Sequence, residues 1–289
     1  MEKNAQLLYL IKLLDDGDDE VFRHVHQEIS AMGSSVIPIL EESWSNTSDP
    51  ILHLRIENLI HGIQYQELKK EFKNWVSKED PDLLEGALLI AKYKYPEIQK
   101  ISIENQIEVI RKSIWVELNY DLTPLEQVNV FNQVFYGFFK FRGDNPQSEY
   151  VHEYFLNYVL ETKKGNALSI GILYLILSEK LGLPVYGVTL PGYFILAYCK
   201  EQLEFIDESD DYRSKVLFYM NPVNNGMVFT RNEVEKYLQK VNIPYRQHYF
   251  QPSNSVKVIR EMLTYLEMFY KSNQEPDKEQ EIIGLRELL

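Results

Sequence analysis

Residues 165–184 constrain the fold of this chain more than any other stretch. They read GNALSIGILYLILSEKLGLP, an apolar helical run that follows a Gly-Asn pair and is stopped by Gly182 and Pro184. A β-branched run comes next at 185–190, and a Pro-Gly turn joins it to a second apolar run at 193–198. The sequence therefore predicts a buried helix that leads into a β-hairpin, at the centre of a hydrophobic core.

More strands and helices are predicted on either side of this centre. The runs QLEFID at 202–207 and VLFYMN at 216–221 are typical of strands and are separated by an acidic loop, which favours a small antiparallel sheet of consecutive hairpins. Upstream, helical periodicity predicts helices at 83–91, 101–118 and 125–139, and these should cover the central helix. The predicted fold class is α+β.

The two ends of the chain are predicted to be helical. Residues 5–75 show helical periods interrupted by the acidic turn at 15–19, in an order that resembles a HEAT-like repeat. Two helices predicted after residue 255 resemble one tetratricopeptide-type pair. Three regions are therefore predicted, listed here in order: an N-terminal helical region at 1–78, a central domain at 79–244 and a C-terminal helical pair at 245–289.

Composition excludes several classes of protein. The chain has 289 residues, of which 45% are hydrophobic, and a single cysteine, which excludes a disulfide framework and a multi-cysteine metal site. A net charge of −13 argues against binding to nucleic acid or to an anionic membrane. The N-terminus lacks the form of a signal peptide, and no apolar run approaches the ~20 residues of a membrane span. We expect a cytoplasmic protein without cofactor or metal.

Four motifs carry a resemblance to a known family. They are listed here: the segment Phe141-Arg142-Gly143-Asp144, the helix at 165–184, the Pro191-Gly192-x-Phe194 turn, and the pair Asn221-Pro222. Together they resemble the SirB-type transglutaminase-like family, which has a papain-like fold and occurs in bacterial proteins that often carry helical repeats. The resemblance covers roughly residues 80 to 240, and the helical tail also fits.

The resemblance implies a catalytic triad whose positions are altered in this chain. Such folds place a nucleophilic cysteine at the start of the helix, a histidine on one strand and an Asp or Asn on the next; this chain has Ala167, Tyr193 and Asn221 there. A methyl group cannot form the thiolate that attacks a carbonyl. A phenol with a pKa of about 10 is a poor general base at neutral pH. The resemblance therefore implies a vestigial triad with no catalytic residue.

Other residues are candidate replacements. Ser169 lies two positions after Ala167, a rotation of about 200° on a helix, so we interpret it as a small polar residue near the helix start. Asp207 is a rival to Asn221 for the third position. Cys199 is interpreted as inert, because no histidine is near it in sequence, and His152 as a surface or capping residue.

Two functional hypotheses follow. The first is a catalytically inactive transglutaminase-like protein that binds a protein or peptide. The second is a hydrolase or amide-processing enzyme that uses a repurposed cleft, with Ser169, Tyr193 and Asn221 as its polar groups. The second would need a base that the sequence does not supply, so the first is preferred.

Overall fold

A computed structural model gives the fold of most of the chain. It describes residues 2–16, 18–119, 121–143, 150–203 and 212–289. The chain divides into two compact units, Met1–Asn74 and Trp75–Leu289. The predicted regional limits at residues 78 and 244 stay a prediction, and the C-terminal helices lie within the second unit. Among the residues described, no helix has both the length and the apolarity that crossing a membrane requires.

The first unit is helical, as predicted. Its helices are α1 (Glu2–Leu13), α2 (Asp19–Ala31), α3 (Ile37–Asn46) and most of α4 (Pro50–Val76), whose last two residues belong to the second unit, with a 3₁₀ turn at Ser34–Val36 before α3. The side chain of Asp18 caps α2 by accepting hydrogen bonds from the backbone N–H groups of Glu20 and Val21. The acidic turn therefore caps a helix, because its carboxylate accepts the N–H groups that a helix start leaves free.

The second unit contains the remaining helices that the structure describes. They are α5 (Leu83–Lys94), α6 (Lys100–Glu117), α7 (Pro124–Asn132), α8 (Leu156–Thr162), α9 (Ala167–Lys180), α10 (Arg231–Lys240), α11 (Ser255–Ser272) and α12 (Pro276–Arg286). The sequence pattern predicts one long helix at 125–139, but the structure passes from α7 into a π-helical segment at Gln133–Phe138. This change of helix type has no signature in the apolar pattern, since both forms can bury the same aromatic side chains.

The second unit also contains two sheets. Strands β1 (Arg142–Gly143) and β2 (Lys164–Gly165) form a short parallel pair; β3 (Val185–Leu190), β4 (Tyr193–Cys199), β5 (Val216–Asn221) and β6 (Met227–Phe229) form an antiparallel sheet in that order. The predicted sheet of consecutive hairpins is confirmed, while the sequence pattern does not predict β1, β2 or β6. Of the strand predicted at 202–207, residues 202 and 203 are not in a strand, and 204–207 lie outside the described residues.

Helix α9 forms the centre of the second unit. Every residue from Ala167 to Ser178 is buried, and α9 contacts α5, α6, α8, β3 and β4. On the sheet, Phe194 faces this helix: a Cβ built on Gly171 of α9 would lie 2.7 Å from its ring. The opposite face of the sheet carries a separate cluster that includes Ile195, Ala197 and Val234 of α10. The antiparallel sheet therefore has α9 packed on one face and the cluster that includes α10 on the other.

The C-terminal helices pack onto the same core. Helix α11 contacts α5, α9 and β3, and α12 packs along α11. The predicted helical pair is present, with a break at residues 273–275. Its buried side chains include Ile259, Leu263 and Leu266, which recur at helical spacing.

Candidate functional site

Helix α9 begins in a buried capping box. The Oδ1 of Asn166 accepts hydrogen bonds from the backbone N–H groups of Leu168 (3.0 Å) and Ser169 (2.9 Å). In return, the backbone N–H of Asn166 donates to Ser169 Oγ at 3.1 Å. The Ser169 hydroxyl donates to the carbonyl oxygen of Glu153 at 2.6 Å. Both side chains of the box are 1% exposed, so it fixes the start of the central helix inside the core.

These contacts fix the position of the Ser169 hydroxyl. A nucleophilic serine transfers its hydroxyl proton to a general base. The Ser169 hydroxyl instead donates its hydrogen bond to a backbone carbonyl. Its position in the capping box at the start of α9 is that of a small polar residue near a helix start. The neighbouring Ala167 is the first residue of α9 and is 1% exposed. The methyl group of Ala167 has no acidic proton, so it cannot act as a nucleophile or an acid.

A pair of serine variants on α9 measures the capping box. We expect Ser169→Ala to lower the free energy of unfolding by about 1–3 kcal/mol, because it removes the partner of the buried N–H of Asn166 and of the partly buried carbonyl of Glu153. Ser178 is the matched control, since its buried hydroxyl has no hydrogen-bond partner among the described residues. Ser178→Ala should be neutral or stabilising. Urea denaturation followed by circular dichroism compares the two, and equal losses would contradict the assigned role of Ser169.

Tyr193 and Asn221 meet at one end of the two central strands of the sheet. Tyr193 opens β4 and Asn221 ends β5, and the Nδ2 of Asn221 donates to the Tyr193 hydroxyl at 3.2 Å. The Asn221 side chain is held by its own turn, because its Oδ1 accepts from the backbone N–H of Val223 at 3.0 Å. The phenol, which is half-buried, accepts this bond and keeps its own hydrogen to donate.

Successive side chains of a β-strand point to opposite faces of the sheet, and this determines the face on which Tyr193 lies. Tyr193 and Ile195 are two residues apart on β4, and Tyr193 packs against the cluster that contains Ile195, with its ring 6.1 Å from that of Tyr237 on α10. Phe194 faces α9 instead. The structure therefore joins Tyr193 to Asn221 on the α10 face of the sheet, whereas Ala167 starts the helix that covers the other face.

Three side chains that the sequence interpretation misses hold the turn after β5. Asn132 Nδ2 donates to the carbonyl of Gly226 at 3.2 Å, and the Tyr174 hydroxyl donates to Asn132 Oδ1 at 3.1 Å. The Tyr136 hydroxyl donates to the carbonyl of Pro222 at 3.0 Å. Burial raises the pKa of both phenols. In the sequence, the one sign of these contacts is Asn132, a polar residue within a helical stripe of aromatic residues. The sequence pattern assigns that stripe to the core.

Two of the remaining candidates, Cys199 and His152, lie among the described residues. Burial raises the pKa of the Cys199 thiol to about 12, so the thiol stays protonated at neutral pH, as its interpretation as inert requires. His152 is exposed, as predicted, and its Nδ1 lies 2.7 Å from the Tyr95 hydroxyl. Asp144 and Asp207 lie outside the described residues. Among those described, no group of three or more His, Cys, Asp or Glu side chains could hold a metal ion.

Comparison with known proteins gives several relatives. The chain is 27% identical over 147 residues to a UPF0162 protein of Vibrio cholerae, a match that covers 51% of this chain and 50% of the relative. It is 31% identical over 138 residues to a UPF0162 protein of Pasteurella multocida, with 46% and 50% covered. It is also 23% identical over 203 residues to the human F-box only protein 21, with 62% and 32% covered.

These matches cover only part of this chain and of each relative. The chain spans about half the length of the UPF0162 relatives named above, and no solved structure matches it significantly. A family model described as the transglutaminase-like superfamily matches residues 101–264, which is more than half of the chain. That range runs from α6 to α11 and includes the buried helix α9 and the antiparallel sheet. Sequence match and α+β architecture agree, and the chain belongs to the transglutaminase-like superfamily.

Proposed function

We propose that this protein is a catalytically inactive, SirB-type member of its superfamily that binds a protein or peptide. The observation that carries the proposal is the pairing of Tyr193 with Asn221 in place of an imidazole, together with the buried methyl of Ala167 at the helix start. Cysteine chemistry needs a thiolate and a base, and this chain has an alanine and a tyrosine at those two positions. We propose a cytoplasmic location for it.

Contacts of the other polar groups support the same proposal. The Ser169 hydroxyl donates to a backbone carbonyl, and the raised pKa of Cys199 keeps that thiol protonated. The alternative of a hydrolase or amide-processing enzyme would need Ser169 as its nucleophile, so these contacts favour the binding role. A binding protein needs available hydrogen-bond donors, and within the part of the chain that the structure describes the Tyr193 hydroxyl accepts a hydrogen bond from Asn221 and donates none.

The helical ends suit a binding role. We propose that the N-terminal helices α1–α4 are HEAT-like and that α11 and α12 are tetratricopeptide-like, which are repeat types that commonly present surfaces to peptides. This assignment rests on the order of acidic turns and amphipathic helices in the sequence. It makes a peptide a more suitable ligand than a nucleic acid, which the net charge of −13 disfavours.

The proposal predicts no turnover and measurable peptide binding. The purified protein should release no ammonia from glutamine peptides, join no amine to them and cleave no peptide bond above background. Tyr193→Phe and Asn221→Ala should leave these rates at background. Selection from a displayed library of random peptides should enrich defined sequences, and Tyr193→Phe should weaken their binding by at most about tenfold, because one hydrogen bond is lost.

Two results would contradict it. Turnover by the unaltered protein that falls strongly in Tyr193→Phe would show that the phenol takes part in catalysis. A library that yields no enriched sequence for the unaltered protein would remove the peptide-binding role. Circular dichroism of each variant checks that the fold is intact.

A further inference from the structure

An open groove lies between α6 and the segment that α7 forms with the π-helical residues Gln133–Phe138. This α6–α7 groove has a volume of about 730 Å³, which is within the range of ligand-binding clefts. Both of its walls carry apolar side chains. Val116 lies on α6, and three side chains of the other wall recur every four residues, namely Val130, Val134 and Phe138.

Phe138 is exposed to solvent because the backbone leaves the α-helical form. In a regular α-helix, with about 100° per residue, it would lie on the same side as the buried residues Phe131 and Phe135. The backbone N–H of Phe139 instead donates to the carbonyl of Val134 at 2.9 Å, a bond of the π-helical type. Phe138 is 73% exposed as a result. Because π-helical turns are rare and are frequent at functional sites, this exposed ring indicates a contact surface.

The α6 wall of the groove is exposed as well. Val116 is 72% exposed, and Val109, which lies two turns earlier on the same face, is 60% exposed. Ser113 lies between them, and its hydroxyl donates to the carbonyl of Val109 at 2.9 Å. Exposed apolar side chains that lie together mark interaction sites. An α-helix with an apolar stripe suits this groove, because helices pack by fitting rows of side chains between those of their neighbours.

One end of the groove is acidic. Among the described residues that line it, Glu117 is the only charged one. Glu117 ends α6, whose last turn has no basic residue, so its carboxylate adds to the partial negative charge of the helix C-terminus. Within the part of the chain that the structure describes it forms no ion pair, whereas Arg111 and Lys112, earlier on α6, both pair with Glu108. This end of the groove, like the net charge of −13, favours a basic partner.

We propose that the α6–α7 groove binds an amphipathic α-helix of a partner protein that carries lysine or arginine beside its apolar stripe. The apolar stripe lies between Val116 and Phe138, and the basic group approaches Glu117. Residues that recur every four positions along one wall match the spacing of the anchors on a bound helix. This surface goes beyond the function proposed above, because Tyr193 and Asn221 do not line the groove.

A displayed library of helix-forming peptides tests the groove. Each peptide has about 16 residues in an alanine-rich frame, which is long enough to form a helix. One face varies among leucine, phenylalanine and alanine, and the positions beside it vary among lysine, glutamine and glutamate. Selection on the full chain should enrich leucine and phenylalanine on the face and lysine beside it. Fluorescence anisotropy then gives the Kd of a selected peptide for the unaltered protein and for each variant.

Variants of the two walls locate the bound helix. Phe138→Ala should weaken binding at least about tenfold, because large aromatic side chains dominate the energy of such contacts. Trp115→Ala is the matched control, since Trp115 is an aromatic residue of α6 that is 56% exposed but does not line the groove. It should leave the Kd unchanged. Circular dichroism of each variant reports whether it is folded.

A charge variant tests the end of the groove. The selected peptide should bind about threefold more tightly than its version with glutamate in place of lysine, since exposed ion pairs are weak. Glu117→Gln should abolish this difference. Glu104→Gln is the control and should preserve it, because Glu104 lies on α6, pairs with Lys100 at 3.7 Å and does not line the groove.

Several results would overturn this proposal. They are a library that enriches no sequence, enrichment of glutamate in place of lysine, equal weakening by Phe138→Ala and Trp115→Ala, and a lysine preference that survives Glu117→Gln. A dimer of the protein alone in sedimentation equilibrium that dissociates in Phe138→Ala would also overturn it, because the occupant would then be a second copy of the chain. Selected helices that lose affinity in Tyr193→Phe but not in Phe138→Ala would exclude the groove and leave the function proposed above standing.

Discussion

Phe194→Ala is expected to lower the free energy of unfolding by about 3–5 kcal/mol, as the loss of a fully enclosed aromatic ring does. The Phe194 side chain is 1% exposed and lies between two glycines. A Cβ built on Gly171 of α9 would lie 2.7 Å from this ring, and one built on Gly187 of β3 would lie 2.6 Å from it. The ring therefore fills the contact between the central helix and the sheet, and urea denaturation of the full chain measures its loss.

A second substitution shows that the contact itself is responsible. Gly171→Ala alone should destabilise by about 1–3 kcal/mol, because the new methyl group meets the ring. In the Phe194→Ala background this cost should fall, since the space is then vacant. Gly62 is the control, because it lies inside α4 and a Cβ added there would meet no atom within 4 Å. Gly62→Ala should instead stabilise by up to about 1 kcal/mol. Additive effects of Gly171→Ala and Phe194→Ala would contradict the assignment.

Phe135→Ala is expected to cost about 3–5 kcal/mol as well, because its ring is enclosed by other aromatic rings. Phe135 is fully buried, stacks on Phe141 at 4.5 Å between centroids and meets Tyr174 of α9 edge-on at 5.6 Å. The expected result is a lower midpoint of urea denaturation without a change in slope.

The same π-helical segment supplies its control. Phe138 is 73% exposed, so Phe138→Ala should change the free energy of unfolding by less than about 0.5 kcal/mol. Similar losses in Phe135→Ala and Phe138→Ala would mean that burial does not decide the effect, and the packing described for Phe135 would be wrong.

Much of the second unit could be predicted from local sequence signals. The limits of α9 follow from Asn166, which caps it, and from Gly182, which has a φ of +68° after its end. The strands β3 and β4 follow from two apolar runs around a Pro-Gly pair. Thr230 and Glu233 form the capping box that their spacing predicts. In each case the deciding residues lie within a few positions of one another.

The candidate site could be predicted only in part. Resemblance identified Tyr193 and Asn221, and the structure brings them within hydrogen-bond distance. The face of the sheet that they share depends on strand register, which no local motif specifies. The role of Asn132 depends on a carbonyl 94 residues away, that of Gly226. Contacts of this range arise from the packed fold, so a single sequence carries little sign of them.

The turn at Pro191 and Gly192 affects how the β3–β4 hairpin twists. Leu190 pairs with Tyr193 across a two-residue connection, and Gly192 has a φ of +72°. A proline followed by a residue of positive φ is characteristic of a type II turn. Two-residue hairpins favour type I′ or II′ turns, because the backbone twist of these turns matches the right-handed twist of the flanking strands. The twist of a type II turn does not match it. The pairing of β3 and β4 nevertheless continues up to Leu190 and Tyr193, so the hairpin keeps its register against the handedness that its turn favours, and the turn itself is exposed.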